Sequence, residues 1–364
     1  MMPDYTLMVV MTGAGLLGAA CGLISSVNVL REQSLLGDVI SHSALPGVII
    51  AFILTGSKEL SVLILGGLVS AVLGIILIQI ISNGLNRKKD EAFAIIVSVS
   101  FGLSILLISL VQRKSLSIAG LESFIFGQAA TMVKSDLMLI SFLFVFITGC
   151  FILLRKEIML AVFDPILFRC LGFSAFAIET VLIICEILAI VIGIRAVGVV
   201  LLVSMLIAPM AAARHWSNNF YLLMVMSSLV GLASGVSAAV LSSLWENMPT
   251  GPIMILILSA VVFISLFFSP RRGIIRRWYL RQRGAKLYKQ EFILRNLYEL
   301  SMNHSEPFRA HSLDVLQSLA EANSFRISQH EMSYLAQLGN ISECGQNQWC
   351  LTQKGLDYLK GKND

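Results

Sequence analysis

Along the first 270 positions, apolar residues come in stretches of about twenty, the length a helix needs to cross the hydrocarbon core of a bilayer. Nine such stretches stand near 6–29, 36–55, 60–81, 92–111, 136–154, 176–194, 196–213, 219–244 and 252–269. Only Gly193-Ile194-Arg195 divides the sixth from the seventh. Joined, they would be too long for one span, so two are expected. The first stretch follows Met1-Met2-Pro3-Asp4, which lacks the basic segment of a signal peptide, and it is read as a retained span.

After Pro270 the pattern changes. Residues 271–300 form a basic segment spaced as a helix leaving the bilayer, where its cations would sit among anionic headgroups. Residues 301–364 are polar and mixed. They predict a helix at 312–322, a helix at 328–338, a strand pair about Trp349-Cys350-Leu351-Thr352 and a final helix after Gly355. That order resembles a small winged-helix domain. The chain thus divides into a transmembrane domain (1–270), a basic linker helix (271–300) and a C-terminal domain (301–364). The expected fold is an all-α polytopic membrane protein of about nine transmembrane helices plus a small α+β winged-helix-like cytoplasmic domain.

Composition sharpens this picture. Of 364 residues, 56% are hydrophobic and 13% charged, against about 25% charged in a soluble domain. That excludes disorder, an ordinary cytosolic enzyme and a nucleic-acid-binding domain as the class of the whole chain. The net charge of +5 is modest, so placement matters more than sum. With the C-terminus in the cytoplasm, the inner short loops hold Arg31, Arg87, Lys88, Lys89, Arg155, Lys156, Arg169 and Arg214. The outer loops hold Lys58, Arg113, Lys114, Lys134 and Arg195. The basic segment after Pro270 adds to the inner side, so a multi-pass cell (inner) membrane protein with N-terminus out and C-terminus in is expected. In the tail, five cations face seven acids, and DNA would want a basic face. Nucleic acid is therefore an unlikely partner, and a regulatory or protein-contact role fits better. The six cysteines form no CxxC pair, so neither a zinc ribbon nor a redox motif is supported.

Candidate chemistry lies where the membrane should hold no charge. An aspartate at a span's centre costs about 2.5–3.5 kcal/mol on insertion scales, so such residues point to function. In Gly37-Asp38-Val39-Ile40-Ser41-His42-Ser43-Ala44-Leu45-Pro46-Gly47, Asp38 and His42 are four apart and share one helix face. A carboxylate and an imidazole suit a divalent first-row ion such as manganese, iron or zinc. The bland alternative is a hydrogen bond gluing helices together. Pro46 removes a helix hydrogen bond to the carbonyl of His42, so a bend and a polar carbonyl beside the imidazole are expected. Gly37 and Gly47 would admit a neighbouring helix or another subunit. Two ligands do not fill a metal shell, but two subunits sharing an axis would supply four. Glu179 and Glu186 are seven apart on one face of the sixth span. Glu186, the deeper, is a secondary pathway candidate, with pairing to Arg195 or a hydroxyl as the alternative. The chain contains no GxxxxGK[ST] loop, so any ATPase would be a separate chain.

These residues resemble a known family. "REQSLLGDVISHSALPGV" (31–48) is similar to the signature of the membrane permease subunit of ABC transporters for zinc, manganese and iron uptake. "LESFIFGQ" (121–128) resembles the family's outer-loop segment, "VFDPILFRCLGF" (162–173) its cytoplasmic coupling helix, and "RAVGVVLLVSMLIAPMAAAR" (195–214) its late transmembrane stretch. The resemblance covers about residues 5–270. It implies a homodimer, or a heterodimer with a second permease, on a cytoplasmic ABC ATPase dimer, and an extracytoplasmic metal-binding protein that delivers the ion. It also implies that Asp38 and His42 coordinate the metal in transit. Phe163, Asp164, Pro165, Leu167 and Phe168 would insert into a groove of the ATPase, with Gly172 ending the coupling helix. Asp164-Pro165 stands where many relatives carry consecutive acidic residues, and many relatives lack the tail.

The function expected is the transmembrane permease subunit of an ABC importer for divalent transition-metal ions, with manganese or iron favoured and zinc admissible. It would not itself be an enzyme: no cofactor is bound permanently, the metal is cargo, and ATP binds the partner subunit. An ion-coupled secondary metal transporter would instead work alone, without an ATPase. A membrane-tethered regulator would act through the C-terminal domain.

Overall fold

With no water in hydrocarbon to take up backbone polar groups, a chain of this composition satisfies them inside helices. The computed structural model describes residues 5–56, 59–84, 89–113, 132–244, 250–270, 273–302, 308–322, 325–345 and 347–360. It divides into two units, Met1–Gly273 and Ile274–Asp364.

The first unit comprises α1 (Tyr5–Leu30), α2 (Leu36–Thr55), α3 (Leu60–Gly84), α4 (Lys89–Arg113), α5 (Lys134–Leu153), α6 (Arg155–Phe163), α7 (Pro165–Cys170), α8 (Ala175–Val197), α9 (Val199–Met205), α10 (Ala208–Ala213), α11 (Phe220–Leu244) and α12 (Thr250–Phe268). Among the described residues, eight helices are long and apolar enough to span a membrane. Nine were expected. The discrepancy is the stretch 196–213, which is no continuous helix. Helix α8 runs through Gly193 and stops at Gly198, whose φ of 91° is open to glycine but disfavoured for other residues. Two short helices follow, the second with Pro209 in its first turn, where a missing N–H costs nothing.

Backbone contact at small residues sets the packing. Helix α1 is buried along most of its length. It lies antiparallel to α11, with Gly18 against Gly231, Gly22 against Ser227 and Ala14 against Gly235. A Cβ on any of these glycines would strike the opposite backbone. The closeness lets Ser227 Oγ donate to the Gly22 carbonyl at 2.6 Å and Ser228 Oγ to that of Ala19 at 3.2 Å. Helix α2 meets α3 in the same way, Gly47 against Gly66, and Ser70 Oγ donates to the Ser43 carbonyl at 2.6 Å.

The ends of the helices can be followed through these contacts. Met132 and Leu137, at the start of α5, lie near Gly13, so α5 begins at the Tyr5 end of α1. It delivers α6 and α7 to the Leu30 end, where Phe163 meets Phe220, the first residue of α11, edge to face. Helix α8 leaves from that end, and its Gly193 reaches Leu17 at the middle of α1. The broken segment then returns: Leu202 packs on Gly193 and Leu206 on Gly37. Ser25 Oγ donates to the Ile207 carbonyl at 3.2 Å and accepts the Met210 N–H at 3.3 Å. Helix α12 finishes beside the same end, with Trp216 Nε1 donating to Ser265 Oγ at 3.0 Å. Tyr5 and Ser269 therefore lie at opposite ends despite the even number of long helices.

The second unit comprises α13 (Ile274–Met302), β1 (His311–Ser312), α14 (Leu313–Ala322), α15 (Gln329–Gln337), β2 (Ile341–Gly345), β3 (Gln348–Leu351) and α16 (Gln353–Lys360). Its sheet is antiparallel in the order β1-β3-β2, with Ile341 opposite Leu351 and His311 opposite Trp349. Cys344 and Cys350 are joined by a disulfide across this hairpin. The expected linker helix belongs to the unit's core: Ile293, Leu294 and Leu297 of α13 are buried against Leu316, Met332, Leu335 and Trp349. Ser328 caps α15 reciprocally with Glu331, and Lys289 Nζ of α13 meets Glu331 Oε1 at 2.9 Å.

Two predictions follow from this packing. Gly18→Val should force α1 from α11 and destabilise the chain by about 1–3 kcal/mol, the usual cost of overpacking, seen as a lower Tm in detergent. The second concerns Glu331: burial raises its pKa, but the Ser328 N–H and Lys289 outweigh burial and hold it below the ordinary carboxylate value. A depressed pKa stabilises the folded state above the unfolded-state value, and that contribution fades as pH falls through the folded one. Lys289→Ala should remove about 1 kcal/mol or less of stability from this half-exposed pair at neutral pH. The difference from the unmutated chain should close in acid, as read from melting of the second unit in the full-length protein.

Candidate functional site

Asp38 lies in the first turn of α2 and His42 one turn later. His42 Nε2 stands 3.3 Å from Asp38 Oδ1, with the side chains 15% and 33% exposed, respectively. Residues 36–49 are otherwise buried, so these two mark the open side of the first half of α2. The pair lies within one helix, so it glues no helices together. At 3.3 Å it is also longer than the 2.7–2.9 Å of a strong charge-assisted bond. Among the described residues, His42 Nδ1 is buried without a hydrogen-bond partner. Such an atom costs about 1–3 kcal/mol, while Nε2 is the ring nitrogen that faces Asp38. Phe101 of α4 sets its ring edge-on to the imidazole at 5.4 Å between centroids. Ser43 and Ser100 hydroxyls stand 3.5 Å apart and tie α2 to α4 beside it.

Among the described residues, no third His, Cys, Asp or Glu gathers with these two. One chain thus offers a carboxylate and an imidazole, short of a four-coordinate shell.

The glycines and proline of this segment work inside one chain. A Cβ on Gly37 would lie 2.8 Å from Leu206 Cδ1 and 3.2 Å from Glu186 Oε1, so the broken segment and α8 press on the back of α2. Gly47 admits α3. Pro46 sits inside α2, which continues past it to Thr55. Glu186 is 1% exposed and accepts a 2.6 Å hydrogen bond from Asn28 Nδ2. The partner seen is thus an amide and not a hydroxyl; the side chain of Arg195, the other partner expected, lies outside the described residues. Asn28 went unnoticed in the sequence, although a lone amide at the end of an apolar helix was a signal. Phe101 carried none.

The segment 162–173 forms the end of α6 and all of α7. Asp164 caps α7, accepting the Leu167 N–H at 2.9 Å, and Pro165 follows at the first helical position. The Asp-Pro pair is thereby explained as a helix start. Gly172 turns the chain with φ 83°, and Ser174 caps α8. Phe163, Ile166 and Leu167 are exposed, while Phe168 is buried and stacks on Phe173 at 5.2 Å. Phe168 is therefore not free to enter a partner's groove, as had been expected; it anchors the turn. Residues 121–128 lie outside the described residues.

Comparison with known proteins agrees with this architecture. The model of the ABC 3 transport family matches residues 3–269. The zinc transport system membrane protein TroC of Treponema pallidum is 38% identical over 288 residues, 79% of this chain and 97% of TroC. The manganese transport system membrane protein MntC of Bacillus subtilis is 33% identical over 349 residues, 96% of this chain and 79% of MntC. That match runs through the second unit. Among solved structures, PsaBC from Streptococcus pneumoniae in complex with Fab aligns with a TM-score of 0.66 at 26% identity, covering 75% of this chain and 95% of that one. An inward-facing putative metal-chelate type ABC transporter shares the fold, with a TM-score of 0.56 at 19% identity over 71% of this chain and 85% of that one. With nearly all of its first unit matched by the family model, the chain belongs to the ABC 3 transport family.

Proposed function

We propose that this chain is the permease subunit of an ABC importer for divalent transition-metal ions, and that Asp38 and His42 are the ligands it lends to the ion in transit. The observation that carries the reading is the pair itself, on the open side of a helix whose remaining first half is buried. The likeness to relatives named for zinc and manganese transport supports a metal as cargo. Oxygen and nitrogen donors without thiolate favour manganese or iron, and zinc accepts the same set.

Two donors per chain call for two protomers, so the site is completed by a second copy or a related permease. The exposed Phe163, Ile166 and Leu167 suit docking on a cytoplasmic ABC ATPase dimer, and an extracytoplasmic binding protein delivers the ion. The excess of Lys and Arg at the Leu30 end of α1 favours that end as cytoplasmic, with the N-terminus outside. ATP-driven rearrangement then opens the Asp38–His42 site to each side in turn. Residues 301–364, whose element order resembles a winged helix and whose charges are acidic in balance, suit a regulatory or protein-contact role.

The test is uptake of manganese, iron and zinc by the complex of this chain with its ATPase in proteoliposomes supplied with the binding protein. Asp38→Asn and His42→Ala should each lower uptake by more than about tenfold while the complex still assembles. Undiminished uptake in both would remove the metal assignment. Uptake driven by an ion gradient without the ATPase would favour a secondary transporter instead.

A further inference from the structure

We infer that Glu179 is the positioning residue through which movement of the α6–α7 docking segment reaches the helix that holds the metal. The inference rests on the function proposed above. Glu179 lies five residues beyond Ser174, the cap of α8, and α7 enters that cap through the Gly172 turn. A push on α7 is thus a push on the first turns of α8.

There, Glu179 Oε1 meets Arg31 Nη2 at 3.3 Å and Lys89 Nζ at 3.1 Å. Arg31 opens the connection from α1 to α2, seven residues before Asp38. Lys89 is the first residue of α4, the helix that sets Phe101 against His42. One carboxylate oxygen therefore links the docking run to both elements that frame the candidate site.

A second contact on the same face of α8 makes this geometry a lever. Two turns further along, Glu186 is held by Asn28 of α1, with both side chains buried. A buried polar group stripped of its hydrogen-bond partner is costly, so this contact stays made and acts as a pivot. Glu179 is 32% exposed and its partners 19% and 54%. Exposed pairs are individually weak, so this link can open and close with each cycle. Its sign matters too. Without the carboxylate, Arg31 and Lys89 face each other as like charges, which drives the α1–α2 connection away from α4.

The experiment measures metal moved per ATP hydrolysed in the reconstituted complex with its binding protein. Glu179→Gln should leave assembly and ATP hydrolysis in place and lower that ratio about two- to fivefold, the scale of one exposed ion-pair link. Lys89→Gln, on an exposed side chain that cannot threaten the fold, should lower it in the same direction. The swap of Glu179→Lys with Lys89→Glu should recover at least part of the loss. An unchanged ratio in Glu179→Gln and Lys89→Gln overturns the inference, as does a loss in Glu179→Lys that the swap does not relieve. Failure of the unmutated complex to move any metal would instead overturn the transport reading.

Discussion

Helix backbones touching at glycine and serine are the condition on which the rest of this molecule depends. Between helices in lipid there is little hydrophobic driving force, so association relies on close packing and on hydrogen bonds made at short range. Gly18 with Gly231 and Gly47 with Gly66 allow that approach, and Ser227 and Ser70 exploit it by donating to carbonyls on the facing helix. The consequence for α2 is decisive. With α3 against Gly47 and Leu206 against Gly37, nearly all of its first half is filled from within the chain, and Asp38 and His42 are left on the side that is not.

The polar groups of the first unit then sort by what surrounds them. Asn28 and Glu186 are buried and satisfy each other, which makes them a structural pin between α1 and α8. The hydroxyls of Ser26 in α1, Ser41 in α2 and Ser234 in α11 return to carbonyls of their own helices, the usual way a helix in lipid keeps a hydroxyl. Asp38 and His42 differ from both groups. Their mutual contact is long, one imidazole nitrogen is unpartnered among the described residues, and the side chains are partly open. Incomplete satisfaction sets Asp38 and His42 apart from Asn28 and Glu186.

The broken segment after α8 has the same importance for the scaffold. It returns the chain to the end where α6 and α7 lie, supplies Leu206 to the back of α2, and is held by Ser25 of α1. Two short helices with free termini would be costly in lipid. Here they are enclosed by α1, α2, α8 and α12, the setting in which irregular backbone is tolerated at such depth. The second unit follows other rules: an amphipathic helix, α13, closes the core of a small sheet, as in a soluble domain.

What the sequence determined by itself was local. Runs of about twenty apolar residues dictate helices because the backbone has no other way to satisfy itself in lipid, and a spacing of four puts Asp38 and His42 on one face. Asp164-Pro165 before α7 and Ser328 with Glu331 before α15 are likewise short-range signals with short-range causes. Tertiary structure decided the rest. Hydropathy measures length and apolarity but not backbone continuity, so the seventh run has the profile of a span although Gly198 and Pro209 break it. Asn28 meets Glu186 across 158 positions, Phe168 turns inward onto Phe173, and Gly37 and Gly47 admit helices of their own chain. Each of those outcomes depends on which distant surface arrives, and no periodicity along the chain records that.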